Sequence, residues 1–167
     1  MSDKKNEISR EQLAANLNED LAREYQAIIA YVIYSQVIKG AQYMSVATEL
    51  EAHAGEELQH ALLIAKQIDY LGEAPVAVPK AVRTSEKAEE MLRFDLENEA
   101  ETCRNYRTRI REAESLGEYA IAETIRHILS QEQDHLIDLA TALNVEVPRD
   151  ALAGKSATVV PVEQSKR

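Results

Sequence analysis

The sequence carries two Glu-x-x-His motifs whose spacing constrains the fold more than any other feature. Glu57 and His60 form the first motif, and Glu132 and His135 form the second, in the other half of the chain. Each motif lies in a segment with helical periodicity, so its carboxylate and imidazole project from one face of a helix. One such pair is common by chance, but a repeated pair predicts two half-sites built on one plan.

Two more glutamates extend the repeat. The interval from Glu24 to Glu57 is equal in length to the interval from Glu99 to Glu132. The two segments also match at other positions, with the same offset that separates the two motifs: Leu21 with Leu96, Tyr31 with Tyr106, and Ala65 with Ala140. We interpret this pattern as an internal repeat of a helix pair.

The midpoint of each interval between glutamates predicts the turn of a helical hairpin. It falls at Gly40 in the first interval and close to Gly117 in the second. If each hairpin folds back there, its two glutamates stand about 16 residues from the turn, roughly 24 Å along the helix axis. All six candidate ligands can then meet in one layer.

Composition favours one mostly helical domain. The chain has 167 residues, 45% of them hydrophobic, and only five glycines and four prolines, enough for one domain with a sizeable core. We therefore predict an all-α fold with a flexible N terminus at residues 1–8, a four-helix bundle at 9–143 and a C-terminal tail at 144–167.

The helix boundaries follow from caps and breakers. Ser9 is expected to cap the first helix, Gly40 to end it, and Thr84 or Ser85 to cap the third. Residues 72–84 contain two prolines and predict an extended crossover between the two hairpins. A short turn near residues 150–153 is the only structure expected in the tail. The four helices are expected at residues 9–39, 42–71, 85–114 and 118–143.

Charge and cysteine content exclude several classes of function. The net charge of −10 argues against general nucleic-acid binding and favours the attraction of cations. Cys103 is the only cysteine, which excludes an internal disulfide and a four-cysteine metal site within one chain. We find no signal-peptide pattern and no apolar run of about 18 residues, so we expect a cytoplasmic protein without a membrane partner.

The chemistry of the six residues indicates a pair of metal ions. Four buried carboxylates at one level require protons or cations to offset their charge, and two divalent metals supply four positive charges. Carboxylate oxygens with neutral imidazoles suit iron or manganese and also admit zinc, whereas the lack of thiolates disfavours copper(I) and iron–sulfur clusters. Iron is the expected metal.

This pattern resembles the ferritin-like di-iron carboxylate proteins, in which two helices each supply a Glu and two others each supply Glu-x-x-His. Within that class the ligand segments are most similar to those of bacterioferritin. The resemblance covers residues 10–143, and it is carried by segments 17–24, 57–61, 91–99 and 132–135.

The resemblance implies a ferritin-like four-helix bundle and a role for each ligand. One iron is expected between Glu24 and His60 and the other between Glu99 and His135, with two bridging glutamates, Glu57 and Glu132. It also implies oxidation of Fe(II) by O2 or H2O2 and storage of the Fe(III) product. Tyr31 matches a tyrosine beside the site in that family and is expected either to take part in catalysis or to be a core aromatic residue.

The sequence also departs from bacterioferritin. Leu58 stands where that family has the methionine that ligates haem, so haem is not expected. The family's fifth helix is not evident in the tail, which leaves a dimer, a 12-mer and a 24-mer as possible homo-oligomers. His53 replaces a glutamate on the face of Glu57, and could support the ligands, bind a metal in transit or be a helix-surface residue. His127 lies off that face and predicts no role.

Three kinds of function remain open on the sequence alone. The first is an iron-storing ferroxidase. The second is a di-metal redox enzyme without storage, such as a rubrerythrin-like peroxidase, a manganese catalase or an oxygenase, the last of which would have a substrate-sized pocket beside the metals. The third is a metal-free interaction bundle.

Overall fold

The computed structural model describes residues 8–152 and has an all-α architecture. The predicted flexibility of residues 1–8 and the tail beyond residue 152 therefore fall mostly outside the described part. No strand occurs between residues 8 and 152. The long helices are α1 (Arg10–Val37), α2 (Met44–Tyr70), α3 (Ala88–Ser115) and α4 (Tyr119–Ala142), followed by the single-turn α5 (Arg149–Leu152).

Local sequence signals explain where the helices begin and end. The Ser9 side chain accepts a hydrogen bond from the backbone N–H of Gln12 at 3.1 Å, so the predicted cap of α1 is confirmed. The prediction for α3 was wrong, because the helix begins at Ala88 with Lys87 as its N-cap residue. The Ser85 hydroxyl instead accepts from the backbone N–H of Lys87, which makes a turn before the helix.

The hairpin turns lie where the glutamate spacing predicts them. Gly117 follows the last residues of α3 with a φ of 74°, a left-handed conformation that glycine adopts without a steric penalty. Gly40 has a φ of 125°, but it is not the cap of α1, because the chain leaves helical geometry already at Ile38. A short 3₁₀ turn, Ala41–Tyr43, then leads into α2.

The helices pack as two antiparallel hairpins, α1 with α2 and α3 with α4, and the segment between the hairpins runs along α1. In that crossover, the backbone N–H of Lys80 donates to the carbonyl of Ala22 at 2.9 Å. The Gln26 amide donates to the carbonyl of Ala81. The predicted extended crossover is thus present. In the tail, Ala151 is buried on the bundle, where α5 contacts α3.

Two apolar clusters fill the bundle, one toward each end. The first contains Tyr31 and Leu92, and the second contains Leu17 and Ile64. Along α1, α2 and α4, the glutamates and histidines of the repeat lie between the residues of the two clusters, whereas Glu99 of α3 lies within the first cluster, two turns before Tyr106 of the second. The core therefore has a polar layer at mid-height. None of the helices described combines the length and apolar character needed to cross a membrane.

A buried ion pair joins the two hairpins below this layer. The Arg109 guanidinium donates from Nε to Asp20 at 2.7 Å and from a terminal nitrogen to the other carboxylate oxygen at 3.3 Å. Burial raises the pKa of Asp20, although the hydrogen bond from Arg109 opposes the rise. Asp20 is therefore a costly buried charge that depends mainly on its hydrogen-bonded partner Arg109, with Arg23 adding a weaker attraction.

Removing that partner is expected to destabilise the bundle. Arg109→Ala should lower the free energy of unfolding by about 3–5 kcal/mol, because it leaves a buried carboxylate without its hydrogen-bonded counter-charge. Arg93→Ala is the matched control. It breaks an exposed ion pair with Glu89 and should change the same quantity by less than about 1 kcal/mol. Urea denaturation at one protein concentration measures both, and equal effects would contradict a special role for the buried pair.

Candidate metal centre

The polar layer contains all six predicted ligands. Each long helix contributes a glutamate, and α2 and α4 each add a histidine one turn further along. The exposure of every one of these side chains is 2% or less. The six are Glu24, Glu57, His60, Glu99, Glu132 and His135.

The layer divides into two groups of potential metal ligands. One consists of Glu24, Glu57, His60 and Glu132, and the other of Glu57, Glu99, Glu132 and His135. Within each group the ligand atoms all lie within 4.8 Å of one another. Glu57 and Glu132 belong to both groups, which is the arrangement expected of two bridging glutamates.

Close contacts tie each imidazole to the opposite hairpin. His60 Nδ1 lies 2.9 Å from a Glu132 oxygen, and His135 Nδ1 lies 2.8 Å from a Glu57 oxygen. Each histidine therefore presents Nδ1 to the middle of the layer.

Several of these atoms are buried without a hydrogen bond, an unusual condition for protein polar groups. Among residues 8–152, Glu24 Oε2, Glu99 Oε2, both oxygens of Glu132 and His135 Nδ1 have no hydrogen bond of good geometry, although Glu132 and His135 make the close ionic contacts given above. Oxygen and imidazole nitrogen atoms that converge in this way match the donors preferred by iron, manganese and zinc. The residues present therefore fit a pair of divalent cations.

Protons offset part of the charge when no metal is bound. Burial and the neighbouring Glu132 and Glu57 carboxylates raise the pKa of Glu24 well above its ordinary value. The pKa of Glu99 is raised well above its ordinary value by burial and the same two neighbours.

The pKa values of Glu57 and of His135 shift in the direction that favours the charged form of each group. Burial would raise the pKa of Glu57, but close contact with the His135 and His60 imidazoles outweighs burial and holds the pKa below its ordinary value. Burial lowers the pKa of His135, but its close contacts with the Glu132 and Glu57 carboxylates prevail and raise it to about 12. In the metal-free layer, burial thus favours the neutral forms of Glu24 and Glu99, whereas contact between Glu57 and the two imidazoles favours the charged forms of these three groups.

Two tyrosines at equivalent positions of the repeat donate hydrogen bonds to Glu24 and Glu99, the outer glutamates of the layer. Tyr31 donates to Glu99 Oε1 at 2.5 Å, and Tyr106 donates to Glu24 Oε1. Sequence reasoning assigned a role beside the site to Tyr31 alone. The internal repeat already matched Tyr106 with Tyr31, and that match was the signal that pointed to Tyr106.

His53 is buried beside the site, so the prediction of a helix-surface residue was wrong. Only 2% of it is exposed, and its ring stacks on that of His135 with centroids 4.1 Å apart. Its Nε2 lies 3.4 Å from Asp138 and 3.7 Å from Glu49. These three residues help to line a pocket of about 270 Å³ between α2 and α4. His127 is exposed, as expected.

Comparison with known proteins places this bundle in a family. The family model for the ferritin-like domain matches residues 14–146. The chain belongs to the ferritin-like family. Its predicted ferritin-like fold is therefore confirmed.

Individual ferritin-like relatives agree with this assignment. A bacterioferritin from Brucella melitensis biotype 1 is 25% identical over 130 residues, which cover 77% of this chain and 81% of the relative. The crystal structure of ferritin-like, diiron-carboxylate proteins from Bacillus anthracis str. Ames has a TM-score of 0.78 and 31% identity, and covers 82% of this chain and 100% of that one.

A further ferritin-like structure is that of a dodecameric thioferritin, the bacterioferritin-related protein of Bacteroides fragilis. Its TM-score is 0.75 and its identity 28%, with 83% of this chain and 88% of that one covered.

The raised pKa of Glu24 predicts a pH dependence of the metal-free protein. A carboxyl whose pKa is higher in the folded chain stabilises the fold fully below its unfolded value of 4.5, and this contribution is lost as the pH rises through the folded value. Glu24→Gln cannot titrate. The free energy of unfolding of wild type, relative to this variant, should therefore fall above pH 4.5 by at most about 1.4 kcal/mol per unit.

Urea denaturation in a metal chelator, repeated across a pH series, measures this difference. Glu123→Gln removes an exposed carboxylate from α4 and serves as the control, whose curve should stay parallel to that of wild type. If the Glu24→Gln curve is also parallel, the pKa of Glu24 is not raised in the fold.

Proposed function

We propose that this protein is an iron-storing ferroxidase. It binds two Fe(II) ions in the polar layer, oxidises them with O2 or H2O2, and retains the Fe(III) product. The six ligands are Glu24, Glu57, His60, Glu99, Glu132 and His135. Manganese or zinc can occupy the same donors, and haem has no place in the proposal because Leu58 is an exposed side chain without a donor atom.

One observation carries this proposal: two groups of four buried ligands share Glu57 and Glu132. Four carboxylates at one level cost several kcal/mol each unless they are neutralised. Two divalent ions neutralise them fully, and the shared carboxylates keep both ions close together. A metal-free interaction bundle offers no reason to bury this set of charges.

The tyrosines prepare the outer ligands. Tyr31 donates a hydrogen bond to Glu99 Oε1, and Tyr106 donates one to Glu24 Oε1. The second oxygen of each carboxyl has no hydrogen bond within the described part of the chain. Each outer glutamate can therefore offer one free oxygen to a metal. A single outer oxygen, one imidazole and two shared carboxylates leave room at each iron for the oxidant.

The electron count of the reaction is simple. Each Fe(II) loses one electron, so two ions reduce O2 with two protons to H2O2, or reduce H2O2 with two protons to two waters. The chain's own contribution is to hold both ions within reach of one oxidant and to keep the site away from bulk water.

Storage requires an assembly of several copies. Apolar side chains are exposed on the outer faces of α1 and α2, among them Val32, Leu58 and Leu62, and burial against another copy would stabilise them. The Bacteroides fragilis relative is described as dodecameric. We propose a cytoplasmic homo-oligomer, with dimer, 12-mer and 24-mer as the states to distinguish.

A di-metal redox enzyme without storage is the second candidate. The pocket of about 270 Å³ lined by His53 favours it, since His53 stacks directly on the candidate ligand His135. A small organic substrate bound there would be separated from the metals by the side chains of His53 and His135.

Anaerobic titration of the metal-free protein with Fe(II), followed by exposure to air, separates the two candidates. Near-ultraviolet absorbance reports oxidation, and particle mass is determined on the same sample. Storage predicts saturation at two irons per chain followed by continued uptake of many more on a large particle. Oxidation that stops at two irons on a small oligomer would favour the redox enzyme, and no binding would contradict both.

Loss of one imidazole should abolish most of the activity. His135→Gln removes a candidate ligand, and His127→Gln makes the same change at an exposed position earlier in α4. We expect the first variant to lower the rate of Fe(II) oxidation at least about 100-fold, and the second to leave it within twofold. Equal rates in both would show that His135 does not bind iron.

Tyr31 is proposed to act in catalysis as well as in holding Glu99. Its ring lies edge-on to His53, with centroids 5.4 Å apart, so it connects the site with the residues that line the pocket. Tyr31→Phe should keep two irons per chain but slow oxidation by more than the roughly tenfold that the loss of one hydrogen bond to a charged group explains. Tyr106→Phe loses the equivalent bond and should slow it less. Equal rates would reduce Tyr31 to a positioning residue.

A further inference from the structure

The two candidate histidine ligands donate to different acceptors on the outer side of the layer. His135 Nε2 lies 2.7 Å from a carboxylate oxygen of Glu56. His60 Nε2 lies 3.1 Å from the amide oxygen of Gln131. Glu56 and Gln131 occupy equivalent positions of the internal repeat, each directly before a bridging glutamate.

Elsewhere the two half-sites are closely matched. Each has one outer glutamate, held by one tyrosine, and both share the same bridging carboxylates. The ring neighbour of His135 is a second difference, since His53 stacks on it, whereas the repeat places Ile128 at the position equivalent to His53. The two half-sites therefore have the same ligand residues, but the residues that contact each imidazole from outside differ.

A carboxylate and an amide have different effects on an imidazole. Glu56 as a carboxylate can only accept, so the contact requires a proton on Nε2 of His135 and leaves the Nδ1 lone pair for a metal. Gln131 carries both an acceptor and a donor, so it can pair with either tautomer of His60. The charge-assisted bond to Glu56 is also the shorter one, as expected, and it increases the electron density that His135 offers to a cation.

We propose that Glu56 makes the two metal positions unequal, so that the Glu99–His135 position fills first and binds about tenfold more tightly than the Glu24–His60 position. The expected ratio is at the lower end of the roughly 10- to 100-fold range by which partners of metal ligands alter affinity. The inference rests on the proposed function, since it assumes that both positions take divalent metals.

Exchange of the residues at positions 56 and 131, singly and together, tests this inference. Glu56→Gln gives both histidines an amide, Gln131→Glu gives both a carboxylate, and the double variant exchanges the two acceptors. Glu56 and Gln131 are only partly buried, and each change is nearly isosteric. Glu123→Gln, on the exposed side of α4 and about 13 Å along the axis from Glu132 at 1.5 Å per residue, controls for the loss of one negative charge.

Zn(II) is the probe, because it binds the same donors without oxidation. The purified full-length, metal-free protein is titrated against a chromophoric chelator to obtain both affinities. Crystals grown with one Zn(II) per chain then give the occupancy of each position from anomalous scattering. Wild type and Glu123→Gln should show two affinities about tenfold apart, with most zinc beside His135.

Both single variants should bring the two affinities to within about threefold, and the double variant should restore the tenfold gap with most zinc beside His60. Equal occupancy in wild type, or an unchanged preference for His135 in the double variant, would overturn the inference while leaving the two-metal site intact. Absence of zinc from both positions, even in excess, would instead contradict the proposed function. Circular dichroism establishes that each variant is folded, and zinc content at saturation establishes that both of its metal positions can be filled.

Discussion

The mutual repulsion of four carboxylates buried at one level is the constraint on which the rest of this structure depends. The metal-free fold meets it by dividing the four into two kinds. Glu24 and Glu99 have raised pKa values, which favours their protonated forms, whereas Glu57 and Glu132 have lowered pKa values and lie against imidazoles whose pKa values are raised. A pair of divalent cations would replace those protons, and metal binding would therefore release them.

The bundle around this layer has approximate but incomplete two-fold symmetry. Tyr31 and Tyr106 are equivalent in sequence and in their hydrogen bonds to the outer glutamates. Asp20 and Asp95 are also equivalent positions of the repeat, but Arg109 pairs with Asp20, and Asp95 Oδ2 is buried without a hydrogen bond to any of the described residues. The two halves of the repeat therefore agree in the tyrosines that contact the centre and differ in the ion pairing of the aspartates further from it.

The centre and the outer surface bear on different parts of the proposed function. In the proposed function, oxidation would depend on the six buried residues and on the tyrosines that bind two of them. Retention of the product depends on how copies assemble, and therefore on exposed side chains such as Leu58 and Leu62. Two ferritin-like proteins with the same centre can consequently differ in storage.

The sequence by itself determined the four helices and the six residues of the polar layer, because helical periodicity and the equal intervals between glutamates act within one hairpin. It missed the N-cap at Lys87, the burial of His53 and the role of Tyr106 beside Glu24. Only the tertiary structure decided these features, as it did the pairing of His135 with Glu56 and of His60 with Gln131. The contacts of these side chains depend on the height and rotation of one helix against another, and local periodicity does not encode that relation.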